Sequence, residues 1–382
     1  MPSATPLRLT PEQVRWFRLQ RSGLVHPYAS PEEAASALVG VQAQILSAAG
    51  LSLWNRTAGL TYTALEERLY HTRTLVKLWG QRGTLHLYPS REWPLLHGAR
   101  SINRTWWERR RAHYAPDGTD YATLVEQVAG LLRSRESMGR SDLRAAGLDL
   151  HEDLYSAWGG IFADLVRLGH ACHAGRVGNE GHFAHRERWL PDLAWNPPPA
   201  HEANQEIARR YLATYGPATA QDFAYWRGAP MGQARRWLNA LEPELASVQV
   251  GGAELLALAS DLEALASSPP EAEAWPVAML YRFDPLLLAH RDKGWVTAAQ
   301  DYKKIWRPAG HIEGIVLAHG RAQATWRYDR KAAGLHIRVE PFHPLPRHVS
   351  GAIPRLAQAV ADFFDLPLAE LTLAPPHRGT PG

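Results

Sequence analysis

The first part of the chain spaces its apolar residues as α-helices do. Thr10-Pro11-Glu12-Gln13 and Ser30-Pro31-Glu32-Glu33 each match a capping box with proline at the first helical position. Apolar residues then keep helical spacing from Ala34 until Gly40. Residues 74–88 change to β-branched and aromatic side chains, and this change predicts strands on either side of Gly83.

Two segments in the middle of the chain repeat one order of elements. Residues 124–176 run from a helix through a cap at Gly139-Arg140-Ser141 to a short helix, a longer helix and a turn-rich segment. Residues 204–251 repeat this order, with Gly216-Pro217-Ala218-Thr219 as the cap and a strand at the end. A winged helix-turn-helix has this order, although a generic helical hairpin produces a similar pattern. We interpret both segments as winged helices, the second more clearly than the first.

The C-terminal part changes character after Ser267-Ser268-Pro269-Pro270, which predicts a linker. Five short strand-like runs follow, namely VAMLYRF, GWVTA, EGIVLA, AQATWRY and LHIRVEPF, and they predict a small barrel or sheet. An amphipathic helix through Ile353, Leu356 and Phe363 precedes a proline-rich tail that we expect to be disordered.

These patterns predict an α+β fold with tandem winged-helix domains and a small C-terminal β-barrel domain. The expected divisions are an N-terminal winged helix over 1–115, a middle one over 116–200, a third over 201–268, the barrel over 269–345, and a helix with its tail over 346–382.

Composition describes a globular protein. The 382 residues are 45% hydrophobic and 21% charged, and no run of about 20 apolar residues is present to span a membrane. The N-terminus lacks the basic and apolar pattern of a secretory signal. Cys172 is the single cysteine, so an internal disulfide is excluded and a reducing compartment is expected. We therefore expect a cytoplasmic protein.

The positive charge is carried almost entirely by arginine. The formal net charge is +4, and only five of the 42 basic residues are lysine. Arginine suits bidentate contacts with phosphate and guanine, but GC-rich coding produces the same bias. The charge permits a basic face without proving one.

Two glutamines form the first candidate site. Gln42 and Gln44 follow the glycine at which a helix is expected to end, so an extended segment is predicted there. In such a segment the two amides share one side, roughly 6.5–7 Å apart, while Ala43 points the other way. Together they can hold a water or a polar ligand. Taken alone, the motif is weak, and a pair of surface or capping glutamines is the better explanation of it.

The surrounding blocks add a family resemblance. The blocks occur in the following order: Gln42-Ala43-Gln44, a leucine-rich segment that ends in Trp54-Asn55-Arg56, Trp79-Gly80-Gln81-Arg82-Gly83-Thr84-Leu85-His86-Leu87, Tyr281-Arg282-Phe283-Asp284-Pro285-Leu286-Leu287 and Thr325-Trp326-Arg327. The chain resembles the AlkZ/YcaQ family of bacterial winged-helix DNA glycosylases along nearly its whole length. The resemblance implies tandem winged helices with a C-terminal barrel, repair of N7-alkylated purines and DNA crosslinks, and catalysis by Gln42 and Gln44.

The chemistry of two amides agrees with this implication. Alkylation at N7 makes a purine cationic, so it leaves as a neutral base without a strong general acid. The enzyme must then support an oxocarbenium-like sugar and place a water against C1′. An amide can do both by hydrogen bonding, but it is too weak a base to deprotonate water.

Further residues are candidates for DNA contact. Arg82, Thr84 and His86 would share one face of an extended segment, although a structural ion pair and a half-buried histidine are equally simple interpretations. Arg235 and Arg236 lie on the second helix of the clearer winged helix, with Trp237, Leu238 and Leu241 towards the core. Arg321 in the expected barrel completes the set.

Histidines and the cysteine, residue types that bind metals, are concentrated between residues 170 and 185. Their spacing fits no standard metal site, and they are His170, Cys172, His173, His182 and His185. We expect histidines of a wing near phosphate there, and neither a metal nor another cofactor.

The leading hypothesis is a monomeric, monofunctional DNA glycosylase acting on double-stranded DNA with alkylated or crosslinked purines, without a membrane partner. Two alternatives stay open, a winged-helix transcription regulator without catalysis and a structural binder of damaged DNA. A regulator would be expected to dimerise, and no heptad or long dimerisation helix is visible.

Overall fold

The computed structural model describes residues 6–99 and 121–375. They form two compact units. The first unit comprises the described residues of Met1–Leu65 and Gln205–Gly382, and the second unit comprises those of Glu66–Asn204. The five-part division expected from the sequence is finer than these two units and stays a prediction.

The described helices, numbered in chain order, are α1 Pro11–Arg21, α2 Pro31–Ala37, α3 Leu46–Trp54, α4 Tyr62–Glu66, α5 Trp93–Gly98, α6 Tyr121–Arg133, α7 Arg140–Ala145, α8 Ile161–Arg167, α9 Arg186–Trp189, α10 Ala200–Tyr215, α11 Ala220–Arg227, α12 Met231–Asn239, α13 Leu262–Ala266, α14 Pro285–Leu288, α15 Tyr302–Ile305 and α16 Arg347–Phe363. The strands are β1 Leu7–Leu9, β2 Val41–Gln42, β3 Leu75–Trp79, β4 Leu85–Pro89, β5 Ala171–Val177, β6 Glu180–His185, β7 Leu245–Val250, β8 Ala253–Leu258, β9 Ala278–Leu280, β10 Gly314–Ala318, β11 Arg321–Lys331, β12 Gly334–Pro341 and β13 Leu368–Leu373.

Both predicted helix starts of the N-terminal region are present. Thr10 caps α1 with a reciprocal capping box, in which its hydroxyl accepts from the N–H of Gln13 at 3.1 Å. The Ser30 hydroxyl accepts from the N–H of Glu33 at 3.1 Å and caps α2. These bonds satisfy amides that the first helical turn leaves unpaired, which is why the local sequence alone locates both starts.

In the first unit, the predicted order of the second repeat is observed. Helices α10, α11 and α12 are followed by the antiparallel hairpin β7–β8. Thr219 caps α11 through a reciprocal capping box with Asp222. Strand β1 adds to this hairpin, parallel to β7, so the start of the chain completes a sheet that the sequence assigned to residues 204–251 alone. Its core gathers Leu9, Val14, Phe17, Val248, Ala257 and Leu265.

In the second unit, the first repeat also has its predicted order. Helices α6, α7 and α8 lead into the antiparallel hairpin β5–β6. Strand β3 pairs with β4 on one side and with β5 on the other, which places the 75–89 hairpin beside the 171–185 hairpin. Apolar residues of α6 and α8 pack on this sheet, among them Val128, Phe162 and Leu165, each at most 1% exposed.

The predicted C-terminal barrel is wrong for the described residues, because the strands form an open sheet. Its order is β13-β12-β11-β10-β9, so β9 and β13 are edges that do not meet. All neighbours are antiparallel except β12 and β13, which are parallel. A parallel pair needs a crossover, and helix α16 supplies it.

Two assignments within this sheet explain the error. The run GWVTA, 294–298, is a turn rather than a strand, and the Val296 N–H donates to the Lys293 carbonyl at 3.0 Å. The missing strand is β13, which lies in the tail that was expected to be disordered. Residues 376–382 of that tail lie outside the described residues. Helix α16 itself has its predicted apolar face, with Ile353, Leu356 and Phe363 buried.

Candidate active site and DNA-contacting residues

The segment after α2 is extended at Val41 and Gln42, whereas Gln44 lies in a bend that follows, so the extended arrangement predicted for both glutamines holds only at Gln42. Helix α2 ends at Ala37, and two left-handed residues, Val39 and Gly40, turn the chain into β2. Glycine adopts this conformation readily, so Gly40 allows a sharp exit from the helix. Gln42 lies in β2 itself.

The two glutamines have different environments. Gln42 is 8% exposed, whereas Gln44 is exposed. Ala43 between them is fully buried. A buried amide is held in one orientation by its surroundings, and an exposed amide is free to meet a ligand. The segment therefore combines one anchored amide with one accessible amide.

Helix α3 begins directly after the motif. Its N-cap is Ile45, which has no side chain able to cap the helix, so the first amides of α3 receive no side-chain bond from that residue. The helix start is held from elsewhere in the first unit, because the Tyr328 hydroxyl donates to the Ser47 hydroxyl at 3.0 Å. Tyr328 is packed in turn against Tyr281 and Phe364, with ring centroids 4.9 and 5.0 Å away.

The far end of α3 is held by a buried ion pair that the sequence did not reveal. Arg56 and Asp284 are both fully buried and form a bidentate pair, with two N–O distances of 2.8 Å. Arg56 also donates to the carbonyls of Ser22 and Ser52 at 2.8 and 2.7 Å. Asp284 additionally caps α14 by accepting from the N–H of Leu286. All the polar atoms of this pair have partners, as a buried charge pair requires.

The ion pair explains two of the blocks that carry the family resemblance. Trp54-Asn55-Arg56 and Phe283-Asp284-Pro285 are far apart in sequence, but their side chains meet. Asn55 adds a bond from its amide to the carbonyl of Met279 at 3.0 Å, and the Trp326 indole donates to the Leu280 carbonyl at 2.9 Å. These blocks are structural, and they fix the helix that follows the glutamines.

The Arg82, Thr84 and His86 group differs from its predicted geometry. Arg82 has φ 55° in the turn between β3 and β4, so it does not share an extended face with the other two residues. The Thr84 hydroxyl donates to the Gln81 carbonyl at 3.0 Å. His86 is 4% exposed, with Nδ1 2.9 Å from the Thr84 carbonyl oxygen. All three lie in the second unit, where Arg82 and Thr84 are partly exposed.

Arg235 and Arg236 lie as predicted on an outward face. Both are exposed on α12, while Trp237, Leu238 and Leu241 are buried beneath the helix. Within the described parts of the chain, neither guanidinium has a carboxylate within 4 Å. Their charge is therefore available to an external anion.

Arg321 opens β11 and is half-buried. It lies near Arg15, whose pKa is lowered by burial first and by the positive charge of Arg321 second. Two neighbouring cations repel each other and form a local positive field, which an anion would relieve.

The histidines and cysteine at 170–185 belong to the β5–β6 hairpin or its flank. Cys172 is fully buried, and burial raises the pKa of its thiol. Burial lowers the pKa of His173 to about 3 and that of His185 to about 4. Across 6–99 and 121–375, no group of three or more His, Cys, Asp or Glu residues is arranged to hold a metal ion. The hairpin therefore buries neutral imidazoles.

These features agree with comparisons to known proteins, which place the chain in a class of enzymes. The profile of the AlkZ-like family, described as DNA glycosylase AlkZ-like, matches residues 35–364. The chain belongs to the AlkZ-like DNA glycosylase family and is therefore a DNA glycosylase.

One relative supports this assignment in both sequence and structure. The chain is 29% identical over 365 residues to an interstrand DNA cross-link repair glycosylase of Streptomyces sahachiroi, covering 91% of this chain and 95% of that protein. The solved structure of Streptomyces sahachiroi DNA glycosylase AlkZ matches with a TM-score of 0.80 at 27% identity. That match covers 96% of this chain and all of the other. No helix in the described ranges has the length and apolar character needed to cross a membrane.

Proposed function

We propose that this protein hydrolyses the N-glycosidic bond of N7-alkylated purines in double-stranded DNA, with Gln42 and Gln44 holding the attacking water. The observation that carries the proposal is the glutamine pair, one amide buried and one exposed, in a chain of the AlkZ-like family. Crosslinked purines are included, because the Streptomyces sahachiroi relative is named for interstrand crosslink repair.

The amides determine which bonds can be broken. The C1′–N9 bond breaks with its electron pair going to the purine, which cancels the positive charge left by N7 alkylation. Water oxygen then bonds to C1′ and its proton passes to solvent, since an amide does not accept it. Exposed Gln44 and buried Gln42 together orient the water, and their dipoles support the developing positive charge of the sugar. The product is an intact abasic site.

We further propose that both helix–helix–helix–hairpin segments are winged helices that contact duplex DNA. Exposed Arg235 and Arg236 on α12, the third helix of one segment, support this interpretation. Arg82, Thr84, His86 and Arg321 remain proposed DNA contacts. For His86 the proposal requires local opening, because its ring is buried.

The direct test is to incubate the protein with a duplex carrying one N7-methylguanine and to measure abasic sites by alkaline strand cleavage. The expected result is release of the base by the wild-type protein and loss of release in the double Gln42→Ala, Gln44→Ala variant. A second duplex with an N7-guanine interstrand crosslink should separate into single strands on a denaturing gel. Binding of damaged duplex without any base release would overturn the catalytic proposal and favour a structural damage binder.

A further inference from the structure

Two adjoining cavities lie in the first unit and share Arg291 and Asp292 in their walls. The first, about 480 Å³, is also lined by Arg18 and Gln221, and the second, about 620 Å³, by Lys293 and Lys303. Gln221, Arg291 and Lys303 are exposed, so the cavities open to solvent. We call their joined surface the basic groove and define it by Arg18, Arg291, Lys293 and Lys303.

Arg18 brings a buried positive charge that has no ion pair at contact distance among the described residues, since the carboxylates of Asp222 and Asp292 act on it only from farther away. It is 4% exposed, and one of its Nη atoms donates to the Pro217 carbonyl at 2.6 Å while its guanidinium lies over the Trp295 ring. Its Nε has no hydrogen-bond partner, and among the described residues no carboxylate lies within 4 Å of the group. Burial lowers the pKa of Arg18 to about 10, which leaves it charged at neutral pH. A buried cation of this kind is stabilised by an anion.

The start of α11 is a second, independent anion-attracting feature of the same cavity. The capping box uses the N–H groups of Thr219 and Asp222. In the part of the chain that the structure describes, the N–H groups of Ala220 and Gln221 have no partner. The unpaired amides and the helix dipole make such a terminus favourable for phosphate.

The second cavity adds two exposed cations without an ion pair in the described ranges, Arg291 and Lys303, and a third cation, Lys293, that is bound to the protein backbone. Within the described residues, Arg291 and Lys303 have no carboxylate within 4 Å. Lys293 donates from Nζ to the Leu287 carbonyl at 2.9 Å and lies 4.9 Å from the centroid of Tyr225, so its charge is held in place. A sequence signal for this cluster exists, because three of the five lysines fall between residues 293 and 304.

The two acidic residues of the groove, Asp222 and Asp292, both accept hydrogen bonds from backbone N–H groups. One Asp222 carboxylate oxygen accepts from the Arg291 N–H at 2.8 Å and the other from the Thr219 N–H at 3.0 Å. Asp292 accepts from the Gly294 N–H at 2.9 Å. The groove is thus lined by four cations and two carboxylates, so its balance of charge is positive.

We propose that the basic groove binds successive phosphates of a DNA backbone. The proposal rests on the proposed function for the identity of the polymer, and it assigns a contact surface separate from Gln42 and Gln44. A free phosphate ion shares the chemistry, but two adjoining cavities that share a wall and open to solvent fit a strand of linked phosphates better than one small ion.

The test compares the salt dependence of affinity for an undamaged duplex. Each phosphate contact contributes about 0.9 to the slope of log affinity against log salt. The double variant Arg291→Gln, Lys303→Gln changes two exposed side chains and should reduce the slope by about 1.8. The matched control is Arg347→Gln, Arg355→Gln, which removes the same charge from exposed positions on α16, outside the groove, and should leave the slope as in the wild type. An unchanged slope in the groove variant, or an equal change in the control, would overturn the proposal.

A second measurement distinguishes a phosphate of the DNA backbone from a free phosphate ion as the ligand of the groove. Calorimetric titration with inorganic phosphate should show no saturable binding at millimolar concentration. Saturable phosphate binding that the groove variant abolishes, together with an unchanged DNA slope, would assign the groove to a free anion and reject the backbone.

Failure of this proposal is distinguishable from failure of the proposed function, because no lesion is needed. If the protein excises N7-methylguanine but the groove variant leaves the salt slope unchanged, the groove proposal is rejected and the glycosylase proposal stands. If the groove variant reduces the slope but the protein excises no base, the groove proposal stands and the glycosylase proposal is rejected.

Discussion

At the scale of single residues, activity is expected to depend on two amides of unequal exposure. Gln42 is buried in β2 and Gln44 is exposed before α3, so the pair presents one fixed and one accessible group. The residue types were readable from the sequence. Their significance came from the family resemblance, since a Gln-Ala-Gln tripeptide alone has several simple explanations.

Changing either Gln42 or Gln44 to Ala should slow excision of N7-methylguanine by about 10²–10³-fold, because one transition-state hydrogen-bonding group contributes about 2.7–4 kcal/mol. Single-turnover rates with saturating enzyme measure the effect, and the affinity for the same duplex should stay near the wild-type value. Gln44→Asp should retain excision, since a carboxylate is a stronger base than an amide. An undiminished rate in the double Ala variant would remove both residues from catalysis.

The Arg56–Asp284 pair should behave as a coupled unit, because removal of one partner leaves a buried charge uncompensated. Asp284→Leu is expected to reduce the free energy of unfolding by about 3–5 kcal/mol. The double variant Arg56→Met, Asp284→Leu should lose less than the sum of the two single variants. Denaturant unfolding of the four proteins gives the coupling energy, and strict additivity would contradict the role assigned to the pair.

At the scale of elements, the sequence predicts helix starts, which depend on neighbouring residues, but not the pairing of strands that are far apart in the chain. The caps of α1, α2 and α11 rest on bonds between residues three apart, so their sequences locate them. Strand β13 forms because it pairs with β12, from which it is separated in sequence by helix α16. Residues 294–298 have strand-like side chains but no partner strand. The extended face predicted for Arg82 is wrong because the chain turns there through two left-handed residues, Arg82 and Gly83.

The β5–β6 hairpin should make stability fall in mild acid. The pKa of His173 is about 3 in the folded protein, below the ordinary value of about 6.5. Between these two pH values the unfolded chain therefore binds a proton at this residue and the folded chain does not. Its stabilising contribution is complete above pH 6.5 and is lost as the pH falls from there towards 3. His173→Gln should flatten the decline in unfolding free energy between pH 7 and pH 5. His201→Gln, at a largely exposed side chain, is the control and should follow the wild type.

Helix α12 should contribute phosphate contacts to binding of any duplex. Removing Arg235 and Arg236 together is expected to reduce the salt slope of affinity by about 1.8, if each contacts one phosphate. The comparison is made on two unrelated undamaged sequences, and both should change alike. A slope equal to that of the wild type would show that these arginines are only solvated.

At the scale of the whole molecule, the chemistry should define the range of lesions. The purified protein is expected to release N7-alkylated guanine and to leave uracil and 8-oxoguanine in place, because two amides cannot activate a poor leaving group. Duplexes that differ only in the lesion, incubated side by side, measure this selectivity. Efficient uracil excision would contradict the mechanism. A tight footprint confined to one palindromic sequence, with no excision, would instead support a regulator.

The division of the chain has a consequence for its biosynthesis. The first unit combines an early and a late part of the sequence, with residues 66–204 inserted between them. Arg56 cannot form its ion pair until Asp284, 228 positions later, has been synthesised. During translation the inserted unit is complete well before its host, and the N-terminal helices must remain without their final partners until the C-terminal sheet emerges. A ribosome stalled before residue 284 would therefore carry a finished inner unit together with a helix α3 that still lacks its buried ion pair, an early target for chaperones.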